Sequence, residues 1–93
     1  MAIAIYLNPP SMSAAQYDEI MSGLDAAGAS TPAGRLYHVC FGSDDKLQIF
    51  EIWESQQDFA KSIETTMPIL RKIGLDLGRP TVEPAHKVIP GQQ

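Results

Sequence analysis

The segment from Arg35 to Phe59 constrains the fold more than any other part of the chain. It alternates as a strand from Arg35 to Phe41, turns through Gly42 to Lys46, alternates again from Leu47 to Glu54, and opens a helix at Ser55. Asp44 and Asp45 tolerate turn conformations. A turn centred on them sets Gly42 across from Leu47, Val39 from Phe50, His38 from Glu51 and Leu36 from Trp53. The register matters, because a slip of one residue sends every side chain to the opposite face. In this register an imidazole and a carboxylate stand together on a face that is otherwise apolar.

The rest of the chain supplies two helices and two further strands. Ala2 to Leu7 is a short apolar run ahead of Asn8-Pro9-Pro10 and reads as a buried strand. Ser13 with Gln16 predicts a capping box. Tyr17, Ile20, Met21 and Leu24 then form the apolar stripe of an amphipathic helix that stops at Gly28. Ser55 and Asp58 begin the second helix, whose apolar side carries Phe59, Ile63, Met67 and Leu70. Pro68 cannot donate to the preceding turn, so the helix is expected to kink there or restart as a short piece from Pro68 to Ile73. Thr81 to Ile89 reads as a last strand, with Pro84 marking an edge or a bulge.

The order is β-α-β-β-α-β. Right-handed crossovers turn it into a ferredoxin-like α+β fold: a four-stranded antiparallel sheet, both helices on one face, strands one and three in the centre. Ninety-three residues without a repeat or linker are expected to form a single domain, 1–93. A core of that size is marginal.

Both hairpin faces are apolar. The face with Tyr37, Val39, Phe41, Phe50 and Ile52, and Gln48 near its end, is expected to lie under the helices. The other carries Leu36, His38, Cys40, Leu47, Ile49, Glu51 and Trp53, whereas a solvated sheet face is polar. A second copy is the simplest cover, since most homo-oligomers are two-fold dimers. The expected product is a homodimer with a cavity between sheet, partner and loops.

The element order, the size and the Ile52-Trp53-Glu54-Ser55 run followed by Phe59 resemble the dimeric α/β-barrel superfamily. That group includes antibiotic biosynthesis monooxygenase-like domains, muconolactone isomerase-type enzymes and stress-responsive barrel proteins. The resemblance implies the fold and the homodimer. It also implies a small-molecule site, with cofactor-independent monooxygenase or isomerase activity on an aromatic or polyketide-like substrate. Many monooxygenase-like members carry a histidine in the second helix; Gln56 to Ile73 contains none.

Within the sequence, His38 and Glu51 are the candidate catalytic pair. A neutral imidazole can take a proton near pH 7, and an adjacent carboxylate fixes its tautomer and stabilises the charged form. Opposed cross-strand residues have Cβ atoms about 5 Å apart, within hydrogen-bonding reach for such side chains. The alternative is an inert cross-strand pair inside a non-catalytic ligand-binding or assembly homodimer. Leu36, Cys40, Ile49 and Trp53 are candidate pocket residues. Tyr6 joins them if the first strand puts Ile3, Ile5 and Leu7 under the helices. An apolar, aromatic-walled pocket suits a small apolar or aromatic ligand.

His86 stands in the last predicted strand, facing the cavity with Val82 and Val88 or lying outside it. Two histidines and a carboxylate make a metal triad on paper, but nothing in the sequence brings His86 to His38, and no metal is expected. No cofactor is expected either, because the chain has neither a dinucleotide-binding glycine fingerprint nor a phosphate loop. Ser13 and Ser55 are helix caps, not nucleophiles.

Composition narrows the partners. The net charge is −4, and the seven Lys and Arg residues are scattered, so a nucleic-acid surface is not expected. No apolar run is long enough to span a membrane. A strand pattern starts at Met1-Ala2-Ile3, so no signal peptide is expected. Cys40 is the only cysteine, which excludes an intrachain disulfide and fits a reducing cytoplasm.

Overall fold

The computed structural model describes residues 1–91. Six elements follow in order: β1 (Ile3–Leu7), α1 (Ala14–Ala26), β2 (Arg35–Ser43), β3 (Lys46–Trp53), α2 (Gln56–Ile73) and β4 (Thr81–Pro84). The sheet is antiparallel in the order β2-β3-β1-β4, which puts β1 and β3 in the centre and the proline-bearing strand at an edge. This is the ferredoxin-like arrangement.

Helix starts follow the capping chemistry. The Ser13 hydroxyl accepts from the Gln16 amide at 3.1 Å, and the Gln16 side chain accepts from the Ser13 amide at 2.9 Å. Ser55 caps α2 by accepting from the Asp58 amide at 3.1 Å. Asp58 in the first turn of α2 and Arg71 and Lys72 in the last complement the helix dipole. The helix ends on Gly74, whose left-handed backbone lets its N–H close back on Leu70 and Arg71.

Pro68 does not break α2, contrary to the restart expected at that position: Gln56–Ile73 is one helix. The missing N–H would have bonded the carbonyl of Glu64, and both residues are exposed, so water can take that carbonyl. The last strand is also shorter than expected. It stops at Pro84, and His86, Val88 and Ile89 lie beyond it and are exposed. The Ala85 amide still reaches the Ala2 carbonyl at 2.9 Å, but proline has no donor with which to extend the ladder.

The hairpin register agrees with the turn argument along most of its length. Gly42 lies opposite Leu47, Cys40 opposite Ile49, Val39 opposite Phe50 and His38 opposite Glu51. The agreement ends at a bulge between Arg35 and Tyr37. Arg35, not Leu36, stands across from Trp53, and Leu36 is 51% exposed.

The two faces of the sheet are the reverse of those expected. The helices cover the face of Ile49, Glu51 and Trp53, with His38 and Cys40 at its β2 side. The face of Tyr37, Val39, Phe41, Phe50 and Ile52 is the open one. Both rows of the hairpin are apolar, so the hairpin alone does not choose. β1 chooses. Its pairing sets Ile3 against Trp53, Ile5 against Glu51 and Leu7 against Ile49. These three aliphatic side chains are all buried, whereas the alternate residues, Ala4 and Tyr6, are only partly so. Burying a full aliphatic side chain is worth roughly 1.5–3 kcal/mol, so this row takes the helix side. Ile5, Met12 and Trp53 are the deepest apolar side chains, with Ile20 and Leu24 of α1 and Leu70 of α2 packed over them.

Candidate functional site

The centre of the site is Glu51, a carboxylate in the middle of a central strand, only 7% exposed. A buried carboxylate needs donors, and this one has them. Its Oε1 accepts from the Trp53 indole Nε1–H at 3.0 Å. Its Oε2 lies 2.5 Å from Nδ1 of His38 and 3.9 Å from Nη1 of Arg35. Trp53 shares the face of Glu51 because it is two residues further along β3, and His38 is its cross-strand partner. Arg35 reaches it only because the β2 bulge returns that residue to the helix side.

The chemistry of the partners assigns the histidine tautomer. An ionised carboxylate only accepts, so Nδ1 carries the hydrogen. In the neutral ring Nε2 is then bare. The Tyr17 hydroxyl lies 2.7 Å from Nε2 and donates to it. The relay thus converges on Glu51: Tyr17 of α1 donates to His38, and His38 and Trp53 both donate to the carboxylate at the heart of the sheet. Burial pushes the Tyr17 phenol above its ordinary value; Cys40 and Glu51 add to the rise and Arg35 partly opposes it. Tyr17 is therefore a neutral donor at physiological pH. Burial likewise raises the Cys40 thiol, with Asp18 adding to it.

A cavity of about 60 Å³ opens between sheet and helices beside this relay. Tyr17, Arg35, His38, Glu51, Trp53 and Phe59 form its reactive end, and Ile49 and Leu77 lie among its apolar walls. Trp53 meets Phe59 of α2 edge-on, with ring centroids 5.6 Å apart.

Of the residues picked out from sequence, the structure brings His38, Glu51, Ile49 and Trp53 to this cavity. It does not bring Tyr6, Leu36 or Cys40. Tyr6 points to the open face, where its hydroxyl donates to Gln48. Leu36 is displaced by the bulge and exposed. Cys40 is on the helix side, two residues beyond His38, and packs against the core outside the cavity wall. The cavity itself is roofed by α1 and α2, not by a second copy as expected.

Tyr17 and Arg35 are the functional candidates that the sequence did not disclose. Tyr17 reads as the first member of an ordinary apolar stripe, and only the docking of α1 over β2 shows its hydroxyl has a partner. Arg35 was hidden by the bulge. Among the described residues no group of three or more His, Cys, Asp and Glu is placed to hold a metal ion. No helix among them is long and apolar enough to cross a membrane.

The chain matches no family model and no curated protein. Solved structures do match over nearly its whole length. A candidate antibiotic biosynthesis monooxygenase from Chloroflexus aurantiacus is 18% identical, with 100% of this chain and 98% of that one covered and a TM-score of 0.65. SnoaB from Streptomyces nogalater, a cofactor-independent oxygenase, is 12% identical, covering 97% and 96%, with a TM-score of 0.61. A second candidate antibiotic biosynthesis monooxygenase, from Deinococcus radiodurans, is 15% identical over the full length of both chains, with a TM-score of 0.59. The chain therefore has the ferredoxin-like fold of the antibiotic biosynthesis monooxygenase-like α/β-barrel proteins.

Proposed function

We propose that this protein binds a small enolisable molecule between its sheet and helices, and that His38 takes a proton from it without a cofactor. One observation carries the reading: Glu51 holds the Nδ1–H of His38, which leaves the basic Nε2 turned toward Tyr17 at the cavity wall. The imidazolium that forms is stabilised by the buried carboxylate. Once Nε2 is protonated it no longer accepts from Tyr17. The phenol hydroxyl is then free to donate to the enolate oxygen, and Arg35 places a positive charge on the same cavity. Return of the proton to a different carbon makes the reaction an isomerisation. Addition of the same carbanion to dioxygen gives a peroxide. Cleavage of its O–O bond with loss of the remaining C–H proton leaves a carbonyl and releases the second oxygen as water, which makes the reaction a monooxygenation; SnoaB is named as a cofactor-independent oxygenase. An aromatic or polyketide-like substrate is the class that the shared fold suggests.

The open face supports a homodimer. Ala4, Tyr6, Val39, Phe50 and Ile52 are half-buried there, and Tyr37 and Phe41 are 52% and 40% exposed. A face of this composition is not that of a solvated sheet.

A second reading, ligand binding without catalysis, is favoured by the occupation of both ring nitrogens of His38. Deuterium uptake from D2O into a small methyl ketone such as butanone, followed by NMR, separates the two. Catalysis requires uptake faster than in buffer, and His38→Gln should slow it by about a hundredfold or more, the usual contribution of a general base. Equal rates for the two proteins would remove His38 as the base. Binding with no accelerated uptake would select the second reading.

A further inference from the structure

The reactive cavity is narrow, at about 60 Å³, and it is not isolated. A second cavity of about 250 Å³ lies against it. The two share a wall of four side chains, Leu7, Phe59, Ile63 and Leu77. Beyond that wall the lining is apolar: Met67 and Leu70 of α2, then Leu75 and Pro80 of the segment leading to β4, with Asp76 the one charged residue. The carboxylate, imidazole, phenol and guanidinium groups sit on one side of the wall, and the other side is apolar but for Asp76.

We propose that the ligand is an amphiphile: a small oxygenated head at Tyr17, His38 and Arg35, and an unbranched hydrocarbon tail that passes Leu77 into the second cavity. The proposal rests on the reading of His38 and Arg35 as the ligand-binding end. Three of the four wall residues are fixed by β1 and α2. Leu77 lies outside any helix or strand, between Ile73 and Thr81, and is the side chain with most freedom to yield. Leu77 therefore divides short ligands from long ones. A narrow cavity that meets a wider one across a shared wall of side chains suits a flexible chain better than a rigid polycycle. The tail gains affinity from burial alone, at a rate set by the transfer free energy of each methylene.

Linear methyl ketones of increasing length test this directly by calorimetry and NMR. The Trp53 indole N–H reports the head and the Met67 methyl reports the tail. Butanone should shift the indole signal only. Longer members should shift both, with Kd falling about three- to fourfold per added methylene until the second cavity is full. Met67→Trp, which puts a larger side chain into the second cavity, should abolish the gain in affinity with length. Binding at Trp53 that is indifferent to chain length would overturn the amphiphile and leave the proton-abstraction reading standing. Absence of any indole shift, with the Met67 methyl responding alone, would overturn both. A Met67 methyl shifted by protein concentration before ligand is added would assign the second cavity to another copy of the chain and also overturn the proposal.

Discussion

Single side chains in this protein are held by what they donate to Glu51. Trp53→Phe keeps an aromatic ring at this buried position but removes the pyrrole half of the indole, with the N–H that Oε1 accepts. Leaving a buried carboxylate oxygen without that donor costs roughly 1–3 kcal/mol, so the urea midpoint should fall while the slope stays constant. An unchanged midpoint would mean that water replaces the indole. Tyr17 gives a test with a defined sign. Its folded-state value lies above the ordinary tyrosine value of about 10, because burial opposes the phenolate. Its contribution to stability is complete below that ordinary value, where the unfolded chain is also protonated. It is lost as pH rises through the folded value. The difference in stability between the wild type and Tyr17→Phe should therefore move against the wild type only above about pH 10, as followed by urea unfolding at graded pH. Cys40, raised in the same direction, should react with iodoacetamide more slowly at pH 8 than a free thiol, because less of it is thiolate.

At the scale of elements, the loop from α1 to β2 is locked to the start of α2. Gly34 has a positive φ of 87°, and its carbonyl accepts from the Glu54 amide at 2.8 Å. A Cβ there would come within 2.6 Å of the Asp58 side chain, which Ser55 already anchors by a hydrogen bond of 2.9 Å. Gly34→Ala should cost more than the roughly 1–2 kcal/mol of a left-handed backbone alone, and Gly74→Ala, with open space around it, only that amount. Thermal melts of the two variants give the comparison. The order of elements, both N-caps and the His38–Glu51 register were legible in sequence because each depends on contacts a few residues apart or across one tight turn. The side of the sheet on which the helices sit was not. It depends on how β1 pairs with β3, and the two meet across more than forty residues with no turn to fix them. The bulge at Leu36 escaped for a related reason: nothing in Arg35-Leu36-Tyr37 distinguishes an interrupted ladder from a continuous one. Tyr17 was visible as helix core but not as a hydrogen-bond donor, since its partner is on another element.

For the whole molecule, the reversal of faces separates association from chemistry. Phe41 and Phe50 are on the open side, while His38, Glu51 and Trp53 are beneath the helices. If two copies meet through the open face, Phe41→Glu should yield monomers in sedimentation equilibrium and leave the Trp53 indole N–H resonance where it was. A wild-type monomer at micromolar concentration would refute the dimer without touching the site. β3 carries both properties on alternate residues, Phe50 outward and Glu51 inward. Substitutions can thus tune one without the other, but an inserted or deleted codon within Lys46–Trp53 exchanges them together. A scan of the gene should find this stretch permissive to many replacements and closed to changes in length.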